Sequence, residues 1–244
     1  MAMALTAETS PSSIIISPRK LRDDLHYPYK QTATAAAAAT AATPLVISVL
    51  ASVIERRVAR NERIAKRYRG GEGGGGIRVM SASRVFECHE TPNMSVQSYL
   101  ERVFRYIGAG PSVFVVAYVY IDRLCLLHPR FRISPTNVHR LLITTILLAS
   151  KYVEDRNYKN SYFARVGGLT RMEMNRLEVE LLFMMGFKLH VNVSVFQSYC
   201  CHLEREVSHG GGYQIERTLR CAQHIKPAKQ TQEDHTHFVT THLL

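Results

Sequence analysis

Apolar residues recur at helical spacing along most of the chain between residues 44 and 207. Thr43-Pro44 supplies an N-cap followed by proline at the first helical position, which opens a helix running through about Tyr68. Leu45, Val46, Val49, Leu50, Val53 and Ile54 form its apolar stripe, and from Glu55 onward its polar positions turn basic. Ser95 caps a second helix carrying Val96, Tyr99, Leu100, Val103, Phe104 and Ile107, which Gly108 and Gly110 stop. Gly110-Pro111 opens a third helix to about Leu127, ended by His128-Pro129. Residues 113–121 are β-branched and aromatic and would suit a buried strand. The length of the segment and its start signal decide for helix.

Ser134-Pro135 begins a fourth helix to about Asp155, apolar on nearly every side through Val138, Leu141, Leu142, Ile143, Ile146, Leu147, Leu148 and Ala149. A helix of that kind has to be surrounded by others, which makes it the central rod of the core. Thr170-x-x-Glu173 is a capping box ahead of Met172, Leu177, Leu181, Leu182 and Met185, and Gly186 fits a C-terminal cap. Asn192 caps a last helix with Val195, Phe196, Tyr199 and Leu203. The pattern predicts an all-α protein: a five-helix domain over residues 95–207, with the 44–68 helix as an N-terminal addition.

Composition sets the boundaries of that domain. Residues 1–42 hold prolines, Ser/Thr clusters and a low-complexity alanine run, and read as disordered. Residues 43–207 form the domain, interrupted by a Gly-rich linker at 70–76, and 208–244 read as a tail. The glycine cluster is no phosphate loop, because Ile77-Arg78 follows it where Gly-Lys-[Ser/Thr] is required.

Net charge is +11, and more than half of the excess falls in residues 44–86, leaving residues 87–209 close to balanced. The basic run Arg56, Arg57, Arg60, Arg63, Lys66, Arg67 and Arg69 is opposed only by Glu55 and Glu62, so a nucleic-acid-binding helix over 44–69 is the alternative reading. Tyr68 is the one aromatic there for stacking on bases, and a solvated face or a localisation signal is the plainer account. No apolar run approaches the roughly 18 residues that span a bilayer, so no membrane association is expected. Five cysteines without a C-x-x-C pair point to a reducing compartment, nucleus or cytoplasm. Cys200-Cys201-His202 and Cys221-x-x-His224 lack a second pair at zinc spacing, and neither a metal nor another cofactor is expected. Gly-x-Ser-x-Gly, His-Glu-x-x-His and phosphate-loop signatures are absent, which argues against catalysis by the chain itself.

The segments TPLVISVLASVIERRVARNE, SVQSYLERVFRYIGAGPSVFVVAYVYIDRL, NVHRLLITTILLASKYVEDRNYKNSYFARVGGLTRMEMNRLEVELLFMMGFKL and FQSYCCHLEREV, in that order, resemble the plant U-type (also called P-type) cyclins, relatives of the fungal phosphate-signalling cyclins. The resemblance implies a single cyclin box. It also implies a regulatory role, binding and activating a cyclin-dependent kinase, with a plant A-type cell-cycle kinase as the expected partner, in cell-cycle or nutrient-linked control. It assigns kinase contact to Lys151 and Glu178, which in cyclins meet polar groups of the kinase's regulatory helix and adjoining loop. From the residues alone, Lys151 is the first charge after an apolar run and Glu178 interrupts an apolar helix face, a pattern that ordinary solvated charges also give. Asp122 resembles an aspartate that other cyclins bury against an arginine of the first box helix, a structural role. The Met-Arg-Ala-Ile-Leu motif that supplies this arginine is replaced by Val96-Gln97-Ser98-Tyr99-Leu100, which leaves Arg102 or Arg105 as the expected partner. Arg22-Asp23-Asp24-Leu25 has the form of an R-x-x-L degradation signal, which so short a pattern also gives by chance.

Overall fold

The computed structural model describes residues 21, 22, 25, 43–69, 81–155 and 157–209, and among them every regular element is helical. The helices are α1 (Leu45–Arg69), α2 (Val96–Ile107), α3 (Pro111–Leu127), α4 (Val138–Val153), α5 (Asn160–Gly167), α6 (Arg171–Met184) and α7 (Val193–His209), with a 3₁₀ turn at Ser81–Phe86. The linker 70–76, most of residues 1–42 and nearly all of the tail 208–244 lie outside the described residues.

The local signals act as their chemistry dictates. Ser95 Oγ accepts from Ser98 N at 3.1 Å, and Gly108, at φ 64°, returns its N–H to Phe104 O at 2.8 Å. Thr170 and Glu173 close both halves of the capping box, and Asn192 Oδ1 accepts from Val195 N at 2.8 Å. The β-branched run of α3 is helical and buried throughout 113–121.

Two differences from the sequence pattern have structural causes. The first is that α4 starts at Val138 rather than at Pro135, because side chains hold the preceding turn closed. Asn137 Oδ1 accepts from Ser134 N at 2.9 Å, and its amide donates to Arg132 O and to Glu87 Oε1, both at 3.0 Å. The second is α5, which makes six helices from residue 96 onward where the periodicity gives five. It has eight residues, no side-chain cap, and only Phe163, Ala164 and Val166 buried, too little for a periodic signal. Gly167 lets it approach α4, since a Cβ there would sit 2.9 Å from Ile143 Cγ1.

α3 and α4 pack more extensively on each other than any other pair of helices. α1 and α7 cover α3, while α2, α5 and α6 cover α4. Thr144 and Thr145, the polar interruptions of the central rod, return their hydroxyls to Arg140 O at 2.6 Å and Leu141 O at 3.0 Å and so enter the core satisfied.

The basic half of α1 is fastened to this core. Arg57 forms an ion pair with Asp122 of α3, whose residue is 4% exposed, and Arg56 forms one with Glu206 of α7. The Asp122 partner is therefore Arg57. Arg102 and Arg105 face solvent on α2, and Gln97, within the replaced motif, reaches Ser48 of α1 at 3.1 Å. Burial works to lower the Arg57 pKa, but the Asp122 carboxylate outweighs it and raises the value above that of a free guanidinium. Tyr118 and Tyr199 have their phenols pushed up by burial first and by the Asp122 charge second. Asn61 extends the attachment with a 2.9 Å bond to Ile133 O. Leu21 and Leu25 are also buried, and Arg22 pairs with Glu204 at 2.7 Å. Leu21 and Leu25, four residues apart, belong to the buried core, and with Arg22 they are the described residues of 1–42.

Arg57→Ala leaves the Asp122 carboxylate buried without its cation, and urea unfolding is expected to show a loss of about 2–4 kcal/mol. Arg57→Ala with Asp122→Asn is expected to lose less than the two single changes added together.

His202 of α7 is buried against Tyr118, and burial, then the charges of Arg205 and Arg56, holds its pKa down at about 4. The unfolded chain takes up this proton near pH 6.5 and the folded chain does not, so stability present above that pH falls as the solution is acidified toward 4. His139, held below its usual value mainly by burial, acts in the same direction. The urea midpoint is expected to drop between pH 7 and pH 5 by the equivalent of about 2 kcal/mol, and the His202→Gln chain to show a shallower fall.

Candidate functional site

The C-terminal end of α4 is fixed before it presents anything. Glu154 N–H bonds Ser150 O at 2.9 Å, Glu154 Oε1 accepts from Gly110 N at 3.1 Å, and the Asn157 amide donates to Glu154 O at 2.8 Å. On that immobilised turn Lys151 emerges at the rim as the apolar run ends. α6 is fixed in a comparable way. Its capping box is tied to α4 by Arg140, which donates to Glu173 Oε1 at 2.7 Å, and Met174, Leu177, Leu181 and Met184 face the core. Glu178 follows Leu177 on the flank of that seam.

The two residues singled out separately from the sequence meet. Lys151 Nζ lies 2.5 Å from Glu178 Oε1 across a sequence separation of 27 residues, with side chains 38% and 14% exposed. Asn160 of α5, which the sequence reading passed over, donates to Glu178 Oε2 at 2.6 Å and to Asn175 Oδ1 at 2.9 Å. Both oxygens of Glu178 are thus engaged, and its orientation is set by a helix that periodicity does not reveal. Asp122 stands elsewhere, deep between α1, α3 and α7, and its surroundings give it a packing role.

Large apolar side chains are exposed on the same two helices and just beyond. Tyr152 and Val153 follow Lys151, Val179 follows Glu178, and Phe183 and Phe187 remain 68% and 59% exposed. The two phenylalanine rings meet edge to face at 5.3 Å. Phe187 holds a left-handed backbone, φ 58°, directly after Gly186 at φ 56°. For a side chain of that size the conformation costs about 1–2 kcal/mol. The segment after it is held down from below. The Tyr120 hydroxyl donates to Leu189 O at 3.0 Å, Arg123 donates to Lys188 O and to His190 O, and Val191 N donates to the Tyr152 hydroxyl at 3.2 Å. The result is a rigid face on which aromatic rings are displayed rather than buried. Neither residue of the aromatic pair was found from sequence, because their apolar character is also what core positions show.

Among the described residues no group of three or more His, Cys, Asp or Glu could hold a metal ion, and no helix is long and apolar enough to cross a membrane. On α7, Cys200 is buried, its thiol pushed up to about 12 mainly by burial, Cys201 is exposed, and His202 is buried. Cys221 and His224 lie outside the described residues. The basic half of α1, where the nucleic-acid alternative was placed, commits Arg56 and Arg57 to carboxylates of this chain and leaves Arg60, Arg63, Lys66 and Arg67 exposed.

The family is shown by comparison with known proteins. The family model described as Cyclin matches residues 31–189. The chain is 61% identical to Cyclin-U2-2 of Arabidopsis thaliana over 227 residues, covering 93% of each chain. It is 63% identical to Cyclin-U2-1 of the same plant over 226 residues, 92% of this chain and 95% of the relative. Against Cyclin-P2-1 of Oryza sativa subsp. japonica the identity is 52% over 191 residues, 78% of this chain and 85% of the relative.

The rim pair is expected to contribute little to stability, since a partly exposed ion pair is worth about 1 kcal/mol or less. Thermal unfolding of the Lys151→Ala and Glu178→Ala chains is expected to lie within a few degrees of the parent, in contrast to Arg57→Ala.

Proposed function

The chain belongs to the plant U/P-type cyclins, and on that premise we propose that it is the regulatory subunit of a cyclin-dependent protein kinase, binding and activating it through the face centred on Lys151 and Glu178. The observation that carries this reading is the rim ion pair, set on two immobilised helix segments and bordered by exposed aromatic rings. The pair leaves two of the three Lys151 N–H groups for a partner. Tyr152, Val179, Phe183 and Phe187 supply apolar area whose burial rewards association.

A docked activator does no bond chemistry. It shifts its partner toward one conformation to the extent that it binds that conformation more tightly than the others. A rigid helical body suits the task, because a surface that does not rearrange loses little conformational freedom on binding. The Phe187 backbone strain, followed by a segment that bonds to Tyr120, Arg123 and Tyr152, fits a residue kept outward for contact rather than for packing. The partner proposed is a plant A-type cell-cycle kinase, engaged through polar groups of its regulatory helix, in the nucleus or cytoplasm and in cell-cycle or nutrient-linked control.

Co-purification and a protein-kinase assay with the purified A-type kinase test this. The parent chain is expected to retain the kinase and raise its activity. Lys151→Ala with Glu178→Ala is expected to weaken retention at least about tenfold at unchanged thermal stability, and Phe183→Ala with Phe187→Ala to do likewise. Equal retention by the parent and both variants overturns the assignment of this face.

A further inference from the structure

Beside the rim pair lies an open groove of about 500 Å³, bordered by Lys151, Tyr158, Lys159, Ser161, Arg171 and Asn175. Its three cations come from three elements: the last turn of α4, the residue before α5, and the first residue of α6. Among the described residues no carboxylate lines it. Glu178, the nearest acid in the hydrogen-bond network, has one oxygen on Lys151 and the other on Asn160. Lys159 and Arg171 form no ion pair among the described residues, so the groove carries uncompensated positive charge next to the proposed kinase contact. Tyr158 adds a flat wall, its ring stacked on Tyr162 at 4.2 Å.

We propose that this groove seats an acidic segment of the partner kinase, a stretch of aspartate and glutamate side chains adjoining the element gripped by Lys151 and Glu178. The proposal rests on the kinase reading given above and extends the contact beyond that pair. Charge complementarity selects the occupant, since a groove of one sign raises the local concentration of the opposite sign and speeds encounter. Carboxylates suit the groove better than one phosphate group does. The cations stand apart on separate elements and are exposed, which matches charges spaced along a chain, whereas a single phosphate is held by donors that converge on it.

Two measurements on the full-length chain decide the matter. In the first, fluorescence anisotropy follows binding of a labelled oligoglutamate peptide at low salt. Lys159→Glu with Arg171→Glu is expected to weaken it about tenfold or more. Arg63→Glu with Arg67→Glu, a control on the exposed face of α1, is expected to leave most of the binding intact. The opposite ranking overturns the proposal, as does a phosphoserine peptide of equal length that binds better through the same two residues. In the second, the purified A-type kinase is titrated at several salt concentrations. The groove variant is expected to bind about tenfold more weakly and with a flatter salt dependence than the parent. If Lys151→Ala with Glu178→Ala weakens kinase binding and the groove variant does not, the groove assignment falls and the kinase reading stands. If neither variant changes kinase binding, the assignment of this face to the kinase falls and takes this proposal with it. Circular dichroism of both variants verifies that the bundle is intact.

Discussion

Two helices at the centre of this protein have almost no side that tolerates water. α3 is buried on every face from Val113 to Ile121, and α4 from Leu141 to Ser150. Such helices persist only when other helices wrap them, and the remaining architecture follows from that requirement. α1 and α7 wrap α3, while α2, α5 and α6 wrap α4. The one carboxylate buried in α3, Asp122, then has to be met by a cation from whichever helix lies over it, and the fold brings Arg57 of α1. The N-terminal helix is thereby part of the core assembly, and two of its arginines serve cohesion within the chain.

Wrapping also determines where function can be displayed. Each covering helix turns one face to the rods and leaves the other free, so polar and aromatic groups gather where the rods end. The end of α4 is such a place. Lys151 emerges there, α6 brings Glu178 against it, and α5 contributes Asn160 to hold the carboxylate still. The bonds that fix Glu154, Asn157 and residues 188–191 stiffen the surrounding backbone without filling the surface, which leaves Phe183 and Phe187 exposed. A face organised in this way is suited to recognition, in keeping with membership of a family of regulatory proteins.

Much of the helical plan was legible in the sequence because helix boundaries are written in local chemistry. Ser95, Thr170, Asn192, Pro111 and Gly108 act on backbone groups within four residues of themselves, so spacing alone locates them. α5 was not legible, since eight residues with three buried positions leave no periodic trace, and the start of α4 moved by three residues because Asn137 answers to Glu87, fifty positions earlier. The identities of Lys151 and Glu178 as candidates came from family resemblance, and nothing local distinguishes them from other surface charges.

What the amino-acid order determined by itself is the set of helices, their apolar faces and the demand that α3 and α4 be enclosed, because these depend on periodicity and on neighbouring backbone groups. Only the tertiary structure decided which charges meet. Arg57 rather than Arg102 or Arg105 neutralises Asp122, Lys151 finds Glu178, and Lys159 and Arg171 have no counter-charge among the described residues. Ion pairing across helices depends on which faces come within a few ångströms of one another, and that proximity is a product of packing the whole bundle at once.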